Sequence, residues 1–320
     1  MPDSPERPIV LVAMGGHAFM QKGETGTIDE HEKNAETIAR LLMSLVERDY
    51  QLVITHGNGP QVGSLLLQHE VARTEAPQMP LDVLVAMTEG SLGYILQQAL
   101  LNQLRRREIR RYVVTVVTQV LVDQNDPAFT QPTKPIGPFL DQQEAERRRD
   151  ALGWNVKEDA GRGWRRLVPS PRPIRVVQRH MIRDAARQGH IVVACGGGGI
   201  PIKKNPDDSY AGIEAVIDKD LTSSVLATEI GAALLIILTA VPQVYVRFGQ
   251  PDQQALGAVT LEEIEHLYAE GHFAPGSMGP KIEAVMHFLG AGGRRALITN
   301  PESLPQAIEG RAGTHFVGKI

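Results

Sequence analysis

Apolar and polar positions along this chain fall into blocks of two kinds. Short runs dense in Val, Ile, Leu and Ala show no polar phase, and each closes on glycine. Residues 9–13 run into Gly15-Gly16-His17, residues 52–55 into His56-Gly57-Asn58-Gly59, and residues 191–194 into Gly196-Gly197-Gly198-Gly199. A continuous apolar run of this length reads as a strand buried on both faces, as in a parallel sheet. Elsewhere apolar positions recur at helical spacing; Ala35, Ile38, Ala39, Leu42, Leu45 and Val46 share one face. Similar patterns predict helices over 61–72, 81–107, 176–188, 221–230, 261–270 and 281–289. Residues 112–122, 233–239 and 296–299 read as further strands, the first of them long and rich in β-branched residues. Strand and helix in alternation predict an α/β fold, a mostly parallel sheet with helices on both faces.

The alternation breaks over residues 123–173. This stretch holds Pro127, Pro132, Pro135, Pro138, Pro169, Pro171 and Pro173, and also both tryptophans, Trp154 and Trp164. Proline removes a backbone donor and fixes φ, which excludes a central strand or a long helix through most of the segment. A helical stretch near 141–151 interrupts it. A structureless loop of this length is uncommon, so 123–173 is expected to be a small inserted subdomain, with 1–122 and 174–320 forming the α/β domain. Lys134 stands among Pro132, Pro135 and Pro138, a rigid frame that can project its charge over the cleft. The insert is therefore expected to act as a lid.

Composition narrows the function classes. The 320 residues carry a net charge of −4 and no long basic block, so no nucleic-acid partner is expected. No apolar run approaches the ~20 residues of a membrane span, so no membrane partner is expected. Residues 1–8 have no apolar core of the signal-peptide kind. Cys195 is the sole cysteine, which leaves no internal disulfide and no cysteine metal cluster; it reads as a small buried side chain. These features predict a cytoplasmic protein, with no protein-borne metal ligand set.

Glycine lets backbone N–H groups approach and point at an anion, and a helix starting there adds its positive end. Three such turns at strand ends predict phosphate handling. The P-loop pattern is absent, and Gly57-Asn58-Gly59 continues to Gly63, one residue too far for a dinucleotide fingerprint. A dinucleotide oxidoreductase is excluded on that ground. Phosphoryl transfer needs positive charge around the moving group, and lysine supplies a compact point charge. The chain has nine lysines against 24 arginines, yet three lysines sit in unusual frames. Lys134 lies in Pro-Thr-Lys-Pro, Lys219 between Asp218 and Asp220, and Lys281 after Gly276-Ser277-Met278-Gly279-Pro280.

The string His56-Gly57-Asn58-Gly59-Pro60-Gln61-Val62-Gly63 resembles the carbamate kinase signature, a branch of the amino acid kinases. So do Asp126-Pro127-Ala128-Phe129 and the stretches 132–139, 196–201, 214–221 and 276–283. The resemblance implies a three-layer α/β/α sandwich with a protruding subdomain, usually a homodimer. It implies reversible transfer between ATP and carbamate, giving ADP and carbamoyl phosphate, with Mg²⁺. By position it implies that Gly15, Gly16, His17, Gly57, Asn58 and Gly59 bind carbamate and the transferring phosphoryl group. Lys134 would contact that group from the insert, and Lys219 and Lys281 would neutralise developing charge. Asp220 would orient the lysines, or cap a helix before Leu221. Thr239, Ala240, Val241 and Tyr245 would line the adenine or ribose side, with Met278, Gly279, Pro280 and Lys281 completing the nucleotide site. Two positions depart from the family pattern. His17 stands where Asn is usual, and residues 238–245 lack the Asp common in related kinases. A kinase for another small carboxylate or phosphate, and a nucleotide-binding homologue without turnover, are the competing readings.

Overall fold

A computed structural model describes residues 7–15, 18–21, 23–158, 161 and 163–318. The chain begins with β1 (Ile9–Met14), α1 (Ile28–Val46), β2 (Gln51–His56), α2 (Gly59–Val71) and α3 (Leu81–Arg106), then β3 (Val113–Thr115) and β4 (Gln119–Val122). Next come β5 (Lys134–Leu140), α4 (Gln142–Leu152), β6 (Asn155–Glu158), β7 (Trp164–Val168) and β8 (Pro173–Val176). They are followed by α5 (Arg179–Arg187), β9 (Ile191–Val193), β10 (Ile200–Lys204), β11 (Tyr210–Gly212), α6 (Lys219–Glu229) and β12 (Leu234–Leu238). The last stretch holds β13 (Val244–Val246), β14 (Gln254–Leu256), β15 (Ala258–Thr260), α7 (Leu261–Ala269), α8 (Met278–Gly290), β16 (Arg295–Thr299), α9 (Leu304–Ile308) and β17 (Thr314–Val317).

Eight strands form the main sheet in the order β15-β17-β16-β12-β1-β2-β9-β3. All the pairs from β16 to β3 are parallel, and β17 meets β16 antiparallel. Strand β1 shows why the apolar runs lack a polar phase. Ile9, Leu11 and Ala13 enter one hydrophobic core with α6, α7 and α8, while Val10, Val12 and Met14 enter another with α1 and α3. Both faces of the sheet are covered, so every residue of the strand must be apolar. The result is the α/β sandwich that the alternation predicts.

Chain order reverses direction at the middle of this sheet. From β1 the chain builds outward through β2 to β9 and β3, and later returns to β12 on the other side of β1. Such a switch point opens a crevice beyond the carboxyl ends of the strands. Gly15 follows β1 there, Thr239 follows β12, and the turn at Gly57 follows β2.

Two segments differ from their sequence reading. The long strand expected over 112–122 is two strands in two sheets: β3 edges the main sheet, whereas β4 pairs with β8 and β10. The break comes at Thr118, whose backbone N–H leaves the ladder to bond the Glu89 carboxylate at 2.8 Å. The helix expected over 176–188 starts only at Arg179, because Pro173–Val176 is spent as β8. Short strands β10, β11, β13, β14, β15 and β17 carry too few residues for a period to be read.

Between β4 and β8 the chain folds into the antiparallel sheet β5-β7-β6 with α4 beside it. Pro135 and Pro138 fit in β5 because it is an edge strand. This unit presses on α2 so closely that a Cβ at Gly63 would stand 1.9 Å from the Gly137 Cα. Arg148 of α4 also bonds Glu70 of α2 at 3.1 Å, with both side chains largely buried, while Arg148 and Arg166 lie over the Trp154 ring. Among the described residues no helix is long and apolar enough to cross a membrane.

Candidate active site

Three lysines from three distant segments meet at the crevice. Lys134 opens β5, Lys219 opens α6, and Lys281 sits in the first turn of α8. Lys134 Nζ donates to Asp218 Oδ2 at 2.6 Å. Lys219 Nζ donates to Asp220 Oδ1, and Lys281 Nζ reaches the other oxygen of the same carboxylate at 3.0 Å. Three ammonium groups against two carboxylates leave one positive charge in excess.

Helix geometry explains the placement. Asp218 is the N-cap of α6, its Oδ1 accepting from the N–H groups of Asp220 and Leu221. The alternative role of Asp220 as the cap falls to Asp218, and Asp220 sits inside the first turn, bonded to Lys219 and Lys281. There the Asp220 carboxylate gains from the positive end of the helix and faces α8. Lys281 is the fourth residue of a helix that starts at Met278, three residues before the expected start. Its ammonium also bonds the Ser277 carbonyl at 3.4 Å.

The charges respond to this crowding. Burial alone would raise Asp220, but Lys219 and Lys281 outweigh it and hold the carboxyl far below its ordinary range. Asp218 is likewise lowered, burial being overcome by Lys134. Burial pulls Lys219 down, with Asp220 only partly offsetting it, whereas for Lys281 the Asp220 carboxylate outweighs burial and raises it.

The end of β2 adjoins α6, the helix that Lys219 opens, with Thr55 Oγ1 2.6 Å from Ser223 Oγ, and a glycine turn follows it. Gly57 donates its N–H to the Met14 carbonyl at 3.0 Å, tying the ends of β2 and β1. Asn58 occupies the N-cap position of α2, and Gly59 and Pro60 open the helix. His56 is buried, and burial drives its pKa down to about 4, so the ring is neutral. Its Nδ1 donates to the Gly57 carbonyl at 3.1 Å, which makes it a brace for the turn. Gly15 is half-buried beside this turn; Gly16 and His17 lie outside the described residues.

The third glycine turn departs from expectation. Gly196, Gly197 and Gly198 are buried beneath the second turn, and a Cβ at Gly197 would stand 2.1 Å from Asn58 Nδ2. Two of its N–H groups close the turn itself, Gly198 to the Cys195 carbonyl and Gly199 to that of Gly196. These glycines answer to close packing. Cys195 is buried too, with φ 51°, and burial pushes its thiol well up.

Thr239, Ala240 and Val241 follow β12 and Tyr245 lies in β13; Thr239 N–H bonds the Thr299 carbonyl at 2.9 Å and Tyr245 leans on Phe248. Met278, Gly279 and Pro280 form the α8 N-terminus, which the Ser277 side chain does not cap. The sequence reading missed Asp218 as a partner of Lys134, and Thr88 and Glu89 on α3. The last two had a signal: they fall in phase with Leu84, Val85 and Leu92, polar residues at core positions of a helix.

The family model for the amino acid kinase family matches residues 8–300. The chain belongs to the amino acid kinase family. Within it, the chain is 46% identical over 311 residues to the carbamate kinase of Thermococcus kodakarensis, covering 96% of this chain and 98% of that protein. The solved carbamate kinase of Giardia lamblia bound to AMP-PNP superposes with a TM-score of 0.91 at 40% identity, covering 98% of this chain and 99% of that one. The same enzyme bound to citric acid gives a TM-score of 0.93 at 40% identity over the same shares. Members of the amino acid kinase family are phosphotransferases, and the lysine cluster is chemistry suited to that work.

Removing the shared carboxylate should expose how much it holds. Asp220→Asn leaves Lys219 and Lys281 side by side without their counter-charge, and should cost about 3–5 kcal/mol, the scale for breaking a buried pair. Asp218 and Asp220 are both held below the ordinary 3.8 in the folded chain. The native state therefore binds fewer protons than the unfolded one in acid, and the stability they contribute is present above about pH 4 and lost as pH falls below it. Urea unfolding from pH 7 to 3 should show a shallower acid decline for Asp220→Asn than for wild type. Parallel curves would mean that the pair does not couple to folding.

Proposed function

We propose that the protein is a cytoplasmic carbamate kinase, transferring a phosphoryl group reversibly between ATP and carbamate. The observation that carries this reading is the convergence of Lys134, Lys219 and Lys281 on partly buried Asp218 and buried Asp220. Carbamate is already an anion, so no protein base is required. Catalysis is positioning plus charge stabilisation by groups that are fixed before the reaction begins. The turn at the start of α2 and Gly15, with Gly16 and His17 beside it, would hold carbamate and the moving phosphoryl group. Lys219 and Lys281 would bear on the phosphate oxygens, their own repulsion offset by Asp220. Thr239, Ala240, Val241 and Tyr245, with Met278, Gly279, Pro280 and Lys281, would take the nucleotide.

Among the described residues no three His, Cys, Asp or Glu side chains cluster as metal ligands, and Asp218 and Asp220 are both engaged by lysines. A protein cage for Mg²⁺ does not fit this donor set. The ion fits as one brought in on the nucleotide, holding phosphate oxygens and waters, as Mg²⁺ prefers.

Residues 123–173 would act as the lid. They carry Lys134 to the main body, and the unit that presents it rests on α2 through Gly63 and Arg148. A homodimer would form through α3. Val83, Met87 and Tyr94 are exposed at helical spacing on that helix, next to β3, the last strand of the main sheet. A two-fold axis would set this face on itself.

With ADP and Mg²⁺ the protein should make ATP from carbamoyl phosphate faster than from acetyl phosphate. Equal rates would reject carbamate specificity and favour a kinase for another small carboxylate. Lys134→Ala should leave ADP binding by calorimetry within a few-fold while turnover drops about 10²-fold, the scale of one lost transition-state contact. Loss of ADP binding with normal turnover of the bound fraction would put the insert in the nucleotide site instead. For the dimer, Tyr94→Glu should halve the mass seen by sedimentation; an unchanged dimer would rule out this face.

A further inference from the structure

Asn58 stands at the N-cap of α2, yet its side chain does not cap the helix. An Asn there ordinarily turns its amide oxygen onto the N–H groups of the first turn. Here Asn58 Nδ2 donates away from α2, to Thr88 Oγ1 at 2.8 Å, and both residues are buried. The direction is fixed at the far end. The Thr88 hydroxyl spends its proton on the Val85 carbonyl at 2.7 Å, so toward Asn58 it can only accept, and Asn58 must present its NH₂. The amide also lies on Gly197, where a side chain would collide with it.

We propose that Thr88 is a positioning residue that keeps the Asn58 amide turned from α2, so that the first-turn N–H groups of α2 serve the transferring group and not the cap. The neighbouring Glu89 fixes the floor on which the amide rests. Glu89 Oε2 accepts from Thr118 N–H at 2.8 Å, and Thr118 Oγ1 in turn accepts from Cys195 N–H at 3.0 Å, just before the glycine turn. Its Cγ lies 3.0 Å from where a Gly196 Cβ would be. Burial raises the Glu89 carboxyl well above its ordinary range. Two adjacent residues of α3 thereby register two glycine turns against each other. The inference rests on the kinase reading above.

The test is Thr88→Val, which keeps the shape and removes the acceptor. Released, the amide can swing to cap α2. Turnover of carbamoyl phosphate should fall tenfold or more, on the order of what a small misplacement of a reacting group costs. The Kd for ADP by calorimetry should stay within twofold and the melting temperature should hold. Thr88→Ser, which restores the acceptor, should recover turnover, and Glu89→Gln, a neutral isostere, should keep it within threefold. Thr88→Val with wild-type kinetics overturns the proposal. So does a parallel loss of melting temperature, ADP affinity and turnover, which marks a merely structural residue. Wild-type protein inactive on carbamoyl phosphate sinks the kinase reading, whereas an active wild type beside an equally active Thr88→Val sinks this inference alone.

Discussion

The carboxylate of Asp220 lets two ammonium groups stand side by side in a nearly dry cleft. Unit charges about 4 Å apart interact with about 4 kcal/mol at the effective dielectric of a protein near its surface. Left alone, Lys219 and Lys281 would splay apart or lose a proton. Each instead takes one oxygen of the same carboxylate. The arrangement requires α6 and α8 to lie alongside each other on one face of the sheet, which their shared core secures through Val225, Leu226, Ile282 and Val285. Clustered charge and apolar packing are thus the same problem, solved by the same pair of helices.

Around the glycine turns the structure is built by subtraction. Side chains are absent where segments must touch: Gly63 against Gly137, Gly197 against Asn58, and Gly198 against the Ile217 carbonyl. The crowding at Gly197 and Gly198 is matched by hydrogen bonds from Thr222 to the Gly198 carbonyl and from Cys195 to Thr118, so the turn has little room to shift. Rigidity here comes from close backbone approach, and the lysine side supplies the charge.

Much of this was legible in the sequence where one physical demand dominates. Strands buried on both faces must be continuously apolar, so the runs at β1, β2 and β12 announced a parallel sheet. Lys134 and Lys281 in proline and glycine frames, and Lys219 between two aspartates, stood out in the sequence, and the structure brings the three together. Where two demands compete, the reading failed. Residues 112–122 look like one strand because β-branched residues suit either sheet, and only a tertiary bond from Thr118 to Glu89 ends the first ladder. Asp218 and Asp220 both suit a cap, and only the α6 dihedrals choose between them. Thr88 and Glu89 are polar residues on a core face, and their partners lie on loops that no local pattern connects to α3.

The segment 123–173 leaves the body after β4 and returns at β8, and these strands are paired, with Val122 opposite Pro173. Its two ends are therefore held a strand's width apart by the body itself. Closing that gap takes no more than a hairpin turn. The eight-stranded sheet does not contain the segment; what ties it to the body beyond those ends is chiefly its packing on α2 and α3, where Ile136 and Val168 are buried with Val62, Leu84 and Val85. A segment joined in this way enters and leaves the body at one place, so it can change as one continuous piece of chain wherever its seat on α2 and α3 is kept.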